Sequence, residues 1–205
     1  MTTTRGRLIA FEGADASGKS TQARRLAGRL GVDLTFQFGA TDIGGAIRSI
    51  VLDPANTALD DRAEALLIIA DNAQHVAEVV GPALEAGRTI ISDRFTASAM
   101  AYQGHGRGLD LDLLTAMLRF SVRDIEPDLT VLLDVELEVA RARLGDAIDR
   151  IEGAGADFHR RVRSAYLAMA AADPDRWVVV DAGGAVDEVG AAIDAAVDDW
   201  LAAHP

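Results

Sequence analysis

The segment Gly13-Ala-Asp-Ala-Ser-Gly18-Lys19-Ser20 fits the spacing G-x-x-x-x-G-K-[ST], in which consecutive backbone N–H groups surround a polyphosphate. In that pattern Lys19 brings a mobile positive charge to the β- and γ-phosphates, and the Ser20 hydroxyl is a ligand for Mg²⁺. Lys19 is therefore expected to be a solvent-facing ligand group rather than part of the core. A second chemical group is Ser92-Asp93-Arg94-Phe95. A carboxylate there can hold a metal ion or orient an attacking oxygen, and the planar guanidinium suits bidentate contact with a phosphate. The same dipeptide also reads as an ordinary ion pair at a strand end. A third group runs from Ala101 to Leu109 with glycines at 104, 106 and 108, which reads as a mobile loop able to approach a ligand. Tyr102 can lie flat against a sugar and Gln103 can read a base edge, although a flexible helix connection fits the glycines equally. Arginines at 141, 143 and 150 near Gly145 form a fourth group. They suit a flap that closes over a triphosphate, or a solvated helix face.

These residues need elements to hold them. Apolar runs at Leu8–Phe11, Thr89–Ser92, Leu129–Val135 and Trp177–Asp181, with Val32–Phe36 a weaker fifth, read as strands covered on both faces. Amphipathic stretches follow them at Thr21–Leu30, Arg62–Glu85, Asp110–Arg123 and Asp157–Ala172, and an alanine-rich one at Val186–Leu201. Such alternation implies an α/β fold of three layers, a central parallel sheet with helices on both faces, to which the arginine group near Gly145 would add a short lid. Ligands in such folds sit at the carboxyl ends of the strands, where the glycine loop falls. The expected organisation is one domain over residues 1–205, with a lid at about 141–153.

The chain has 205 residues, 49% of them hydrophobic, enough for one large core. Its 32 acidic and 20 basic side chains give a formal net charge of −12, which speaks against a nucleic-acid backbone or an anionic membrane as partner. Phosphorylated ligands must then be drawn in by a local arginine cluster acting against the overall field. The chain lacks cysteine, so disulfides and thiolate metal sites are excluded. No stretch reaches the length of a membrane span, and a cytoplasmic enzyme is expected.

In this order, the motifs resemble those of the bacterial thymidylate kinases among the P-loop nucleoside monophosphate kinases. The resemblance rests on Phe11-Glu12-Gly13-x-Asp15-x-x-Gly18-Lys19-Ser20-Thr21-Gln22 and Ala70-Asp71-x-Ala73-Gln74-His75-Val76. It continues through Ser92-Asp93-Arg94-Phe95, Tyr102-Gln103-Gly104-x-Gly106-Arg107-Gly108, Pro127-Asp128-Leu129-Thr130 through Asp134, and Asp149-Arg150-Ile151-Glu152. It implies ATP-dependent phosphorylation of dTMP to dTDP with Mg²⁺ bound to the nucleotide. It implies ATP on Gly13, Ala14, Asp15, Ala16, Ser17, Gly18, Lys19, Ser20 and Thr21, with Ser20 and Asp93 at the metal. Asp15, Ile68, Asn72, Arg94, Ala99, Tyr102 and Gln103 would receive the acceptor. Arg141, Arg143 and Arg150 would belong to the lid. Lys19, Arg94, Asp15 and Arg150 would carry catalysis, in a homodimer.

This chain also departs from the pattern. The family usually carries Arg-Glu-Pro-Gly-Gly-Thr where Phe36-Gln37-Phe38-Gly39-Ala40-Thr41 stands. It typically has an aromatic at Ile68, stacked on the base, an arginine at Asn72, donating to a base carbonyl, and a small polar residue at Ala99. These base-side changes open two alternatives. One is a kinase of another pyrimidine deoxynucleotide, such as dUMP or a modified pyrimidine. The other is a catalytically weak nucleotide-binding protein of the same fold.

Overall fold

The computed structural model describes residues 5–143 and 149–204. Five parallel strands form one sheet in the order β2-β3-β1-β4-β5. They are β1 (Leu8–Glu12), β2 (Asp33–Phe36), β3 (Ile90–Asp93), β4 (Leu129–Asp134) and β5 (Trp177–Asp181). The central β1 is buried throughout, as is β4 up to its last residue, which explains their unbroken apolar sequences. Edge strands β2 and β5 are largely exposed or half-buried, so their sequence signal is weaker.

Helices cover both faces, giving the three-layer P-loop α/β architecture that the alternating pattern predicts. On one face α1 (Lys19–Leu30), α7 (Leu137–Arg143) and α9 (Val186–Ala203) pack Leu26, Ala140, Ile193 and Val197 against Ile9, Phe11, Val131 and Leu133. On the other lie α2 (Asp42–Leu52), α3 (Asp61–His75), α5 (Thr96–Ala99), α6 (Leu111–Ser121) and α8 (Ala156–Ala172). There Ile68, Leu114, Leu118, Phe158 and Tyr166 form a continuous apolar cluster. A π-helical turn, Val76–Val80, joins α3 to α4 (Gly81–Glu85), so the single stretch expected at 62–85 holds but changes pitch midway.

Two segments differ from expectation. Helix α2 was hidden because Gly44 and Gly45 resemble a turn. It forms because the Thr41 hydroxyl caps the Gly44 amide at 2.9 Å, and Gly44 is glycine because a Cβ there would run into Asp71 Oδ1. The second is the glycine-rich stretch expected to be a mobile loop. Met100–Gly106 is a π-helical continuation of α5, buried at Gly104 and Gly106. Its glycines serve close packing: a Cβ on Gly106 would lie 2.5 Å from Phe158 Cε2, and one on Gly104 2.7 Å from Leu111 Cδ2. Gly145 of the expected lid lies outside the described residues.

Gly106→Ala should therefore lower unfolding stability by about 1–3 kcal/mol through overpacking. Gly45→Ala on α2, where the nearest atom to a new Cβ is 4.0 Å away, should raise it by about 0.5–1 kcal/mol. Urea midpoints read both, and an unshifted Gly106→Ala would show that the π segment is not pressed against α8.

Candidate active site

Strand β1 delivers the chain into the glycine loop. Gly13 has φ 141, and a Cβ there would meet the Leu133 carbonyl oxygen at 2.5 Å, so the turn passes β4 only as glycine. Gly18 caps α1 with φ 90 and offers no side chain to its first amides. The helix dipole and amides thus point into the loop hollow, an arrangement suited to phosphate. Lys19 is not solvent-facing as expected. It is 5% exposed and folds under its own loop, donating from Nζ to the Ala14 carbonyl at 2.6 Å and to Ser17 Oγ at 3.4 Å. Burial, together with the neighbouring Arg94 cation, pushes its ammonium down to about 8.

Register places β3 beside β1, with Phe11 opposite Asp93. The Ser20 hydroxyl on α1 consequently donates to the Asp93 carboxylate on β3, bringing together the two metal ligands expected from the sequence. A hydroxyl and a carboxylate oxygen suit a hard cation that keeps water and phosphate oxygens as its other ligands. Asp15, Ala16, Gly18, Lys19, Ser20 and Thr21 all line an open cleft, joined by Arg24 and Arg48.

Arg94 follows directly, in the left-handed region at φ 72, a conformation that costs a non-glycine residue about 1–2 kcal/mol. Its amide donates to the Phe11 carbonyl at 2.8 Å, which turns the guanidinium in under the glycine loop. There it donates to the Gly13 carbonyl at 3.2 Å, Ser98 Oγ at 3.0 Å and the Tyr102 hydroxyl at 3.3 Å, and pairs with the Asp15 carboxylate. The Tyr102 hydroxyl donates to Asp15 Oδ2 at 2.8 Å. Burial disfavours charge on Asp15, but Arg94, Lys19 and Tyr102 outweigh it and hold the carboxyl below its usual range.

Beneath lies Glu12, fully buried. It accepts from the Phe95 amide at 2.8 Å, Ser98 Oγ at 2.7 Å and the Tyr166 hydroxyl at 2.9 Å. Burial pushes its carboxyl up against the opposing pull of Arg94. The expected strand-end pair is thus a buried network. Glu12, Ser98 and Tyr166 belong to it without having been foreseen, since only Glu12 lay in a motif.

A second cleft opens on the other side of Arg94. Asp15, Ile68, Asn72, Arg94, Ala99, Tyr102 and Gln103, the residues that the resemblance assigns to the acceptor, all line it. Phe38 also lines it, with the Arg48 guanidinium 5.1 Å from its ring centroid. An aromatic missing at Ile68 is therefore available from the β2–α2 turn, where the sequence showed only a lost proline. Asp15, Gln37, Arg48 and Arg94 line both clefts.

Two expectations need correction. The Gln103 amide does not present its donor to the cleft; Nε2 donates to Glu64 Oε1 at 2.8 Å. The arginines at 141, 143 and 150 are not gathered on the phosphate side. Arg141 is exposed on α7, and Arg143 donates to the Ala182 carbonyl at 2.9 Å. Arg150 donates to the Val51 carbonyl at 2.8 Å and pairs with Glu64. The reason is Glu64, fully buried at the start of α3, whose charge must be compensated inside the protein. Its burial would raise its carboxyl, yet Arg107, Gln103 and Arg150 together hold it below the usual range.

Known proteins match this arrangement. Residues 11–193 fit the family model described as thymidylate kinase. The chain is 46% identical over 201 residues to the thymidylate kinase of Leifsonia xyli subsp. xyli, covering 94% of this chain and 95% of the relative. It is 44% identical to that of Solidesulfovibrio magneticus, covering 91% and 96%. The crystal structure of thymidylate kinase from Ehrlichia chaffeensis superposes with a TM-score of 0.78 at 27% identity, covering 94% of this chain and 99% of the other.

The lowered Lys19 titration predicts a pH dependence. Its charge is present below about pH 8 and lost above it, so kcat/KM for the nucleoside triphosphate should fall as pH rises through that value. Bound phosphates restore the cation, so kcat should stay level to higher pH. A kcat/KM that is flat to roughly pH 9.5 would show that Lys19 keeps an ordinary lysine titration.

Proposed function

Because the chain belongs to the thymidylate kinase family, we propose that it transfers the γ-phosphoryl group of ATP to dTMP, giving dTDP and ADP. The observation that carries this reading is the partition between the two clefts, where Arg94 and Arg48 line both chambers. A triphosphate on the loop and a monophosphate in the second cleft meet at these cations. Phosphoryl transfer asks mainly for in-line positioning and positive charge around the migrating group. Lys19 leaves the Ala14 carbonyl for the β- and γ-oxygens, while Asp15 and Tyr102 fix the Arg94 fork. Tyr102 closes the sugar end of the cleft, and Phe38 with Ile68 covers the base. Ser20 and Asp93 would hold the Mg²⁺ that accompanies ATP, and the ion would supply charge stabilisation to the phosphate oxygens.

We read the chain as one kinase domain whose lid spans about 141–153. Arg150 anchors that lid to Glu64, and Arg141 and Arg143, at the end of α7, begin it. Among the described residues no helix is long and apolar enough to cross a membrane, and the nucleotide substrates support a cytoplasmic site of action. A homodimer belongs to the same reading. Leu113 and Phe120, one heptad apart on α6, are 59% and 86% exposed, an unusual exposure for such side chains.

Coupled-assay turnover of dTMP with ATP and Mg²⁺ tests the reading, which fails if no nucleoside monophosphate is phosphorylated. Lys19→Ala should lower kcat by at least about 10²-fold, as loss of one transition-state donor does elsewhere, and substantial residual activity would remove Lys19 from its role. Light scattering should give twice the chain mass, with Phe120→Asp shifting it to the monomer; a monomeric unaltered chain would refute the dimer.

A further inference from the structure

Gln37 and Asn72 are neighbours on the wall of the acceptor cleft, and Gln37 Nε2 donates to Asn72 Oδ1. Both are buried, at 6% and 1% exposure. Their mutual bond leaves the donor Asn72 Nδ2 and the acceptor Gln37 Oε1 without a partner among the described residues. Buried donors and acceptors left unpaired are costly. Both residues line the cleft, while these two atoms are themselves closed off from it, so a ligand edge with one donor and one acceptor would satisfy them together once the two amides turn toward it.

The pattern that this chain resembles has glutamate and arginine where Gln37 and Asn72 stand. A carboxylate only accepts and a guanidinium only donates, so that pair has one fixed polarity. Two primary amides do not. If both rotate by half a turn, Asn72 Nδ2 donates to Gln37 Oε1, and the unpartnered atoms become Asn72 Oδ1 and Gln37 Nε2. The bond between them survives, while the free donor and acceptor exchange places.

In the kinase reading above, Asp15, Arg94 and Tyr102 take the sugar and phosphate of the acceptor. What remains for Asn72, which lines the acceptor cleft but not the phosphate cleft, is the base edge opposite the glycosidic bond. In thymine and uracil that edge carries the N3–H donor beside the O4 acceptor. In cytosine it carries the N3 acceptor beside the N4 amino donor. One rotamer set of the amide pair complements the first edge, and the other set complements the second.

We propose that Gln37 and Asn72 read the N3/C4 edge as a reversible pair and admit 4-amino as well as 4-oxo pyrimidines, so that the chain phosphorylates dCMP as well as dTMP. The transfer is the same in both cases. An oxygen of the dCMP 5′-phosphate bonds to the γ-phosphorus of ATP, the bond to the β-phosphate oxygen breaks, and dCDP and ADP leave. This inference rests on the dTMP kinase reading above.

The test compares kcat/KM for dTMP, dUMP and dCMP in the unaltered chain and in the double variant Gln37→Glu/Asn72→Arg. Because dUMP and dCMP both lack the C5 methyl group, their ratio isolates the N3/C4 edge. The unaltered chain should use dCMP within about tenfold of dUMP. The double variant should fall at least about 100-fold below dUMP on dCMP, since a fixed polarity leaves the wrong edge unpaired. Calorimetric binding of dUMP and dCMP to the same double variant gives a second readout independent of turnover. If dTMP is phosphorylated but the unaltered chain already rejects dCMP by more than about 100-fold relative to dUMP, the amide-pair inference is overturned and the dTMP reading stands. An unchanged ratio in the folded double variant overturns it as well. Failure with all three monophosphates instead removes the kinase reading on which it depends.

Discussion

The Arg94 guanidinium, turned inward at the end of β3, is the contact on which the two chambers depend. It is a cation held out of bulk water, and such a charge persists only where carboxylates and hydroxyls surround it. Asp15, Ser98, Tyr102 and Tyr166 provide that surrounding from the glycine loop, α5, the π segment and α8. Three separate stretches of chain, the glycine loop, the continuous α5–π segment and α8, are thereby fixed relative to one strand end. Glu12 ties the lower side of the same assembly to β1, through Ser98 and Tyr166. Positive charge at the partition is thus set before any ligand arrives, which is what electrostatic preorganisation requires.

Much of this was legible in the sequence because it is local. The strand, glycine loop and helix at residues 8–30 are contiguous, and their spacing encodes both geometry and chemistry. The limits of β5 were read directly, and β3 was displaced by one residue because Asp93 ends a strand while looking like loop chemistry. The seven residues that the family pattern assigns to the acceptor lie far apart in sequence, yet they line one cleft.

What escaped depends on partners distant in sequence. Glu64 looks like an ordinary acid in a helical first turn, yet it collects Gln103, Arg107 and Arg150 from 39, 43 and 86 residues away. That demand for counter-charge draws Arg150 and Gln103 from the roles that position alone suggested. Glycine misleads for a related reason. It reports that a side chain would not fit, without saying whether mobility or a neighbour such as Phe158 is responsible. Lys19 carried the same ambiguity, because a motif specifies what its ammonium reaches when ligand is bound and not where it rests otherwise.

The partition shared by both clefts has an ionic consequence. Two phosphorylated ligands must approach a chain of net charge −12, and outside the protein their attraction to Arg24, Arg48 and Arg94 acts across solvent. Dissolved salt weakens such attraction beyond about 10 Å at 0.1 M. Once the ligands lie against the buried guanidinium, few mobile ions can come between them and it. Ionic strength therefore bears on the capture of either nucleotide and much less on the step that joins them.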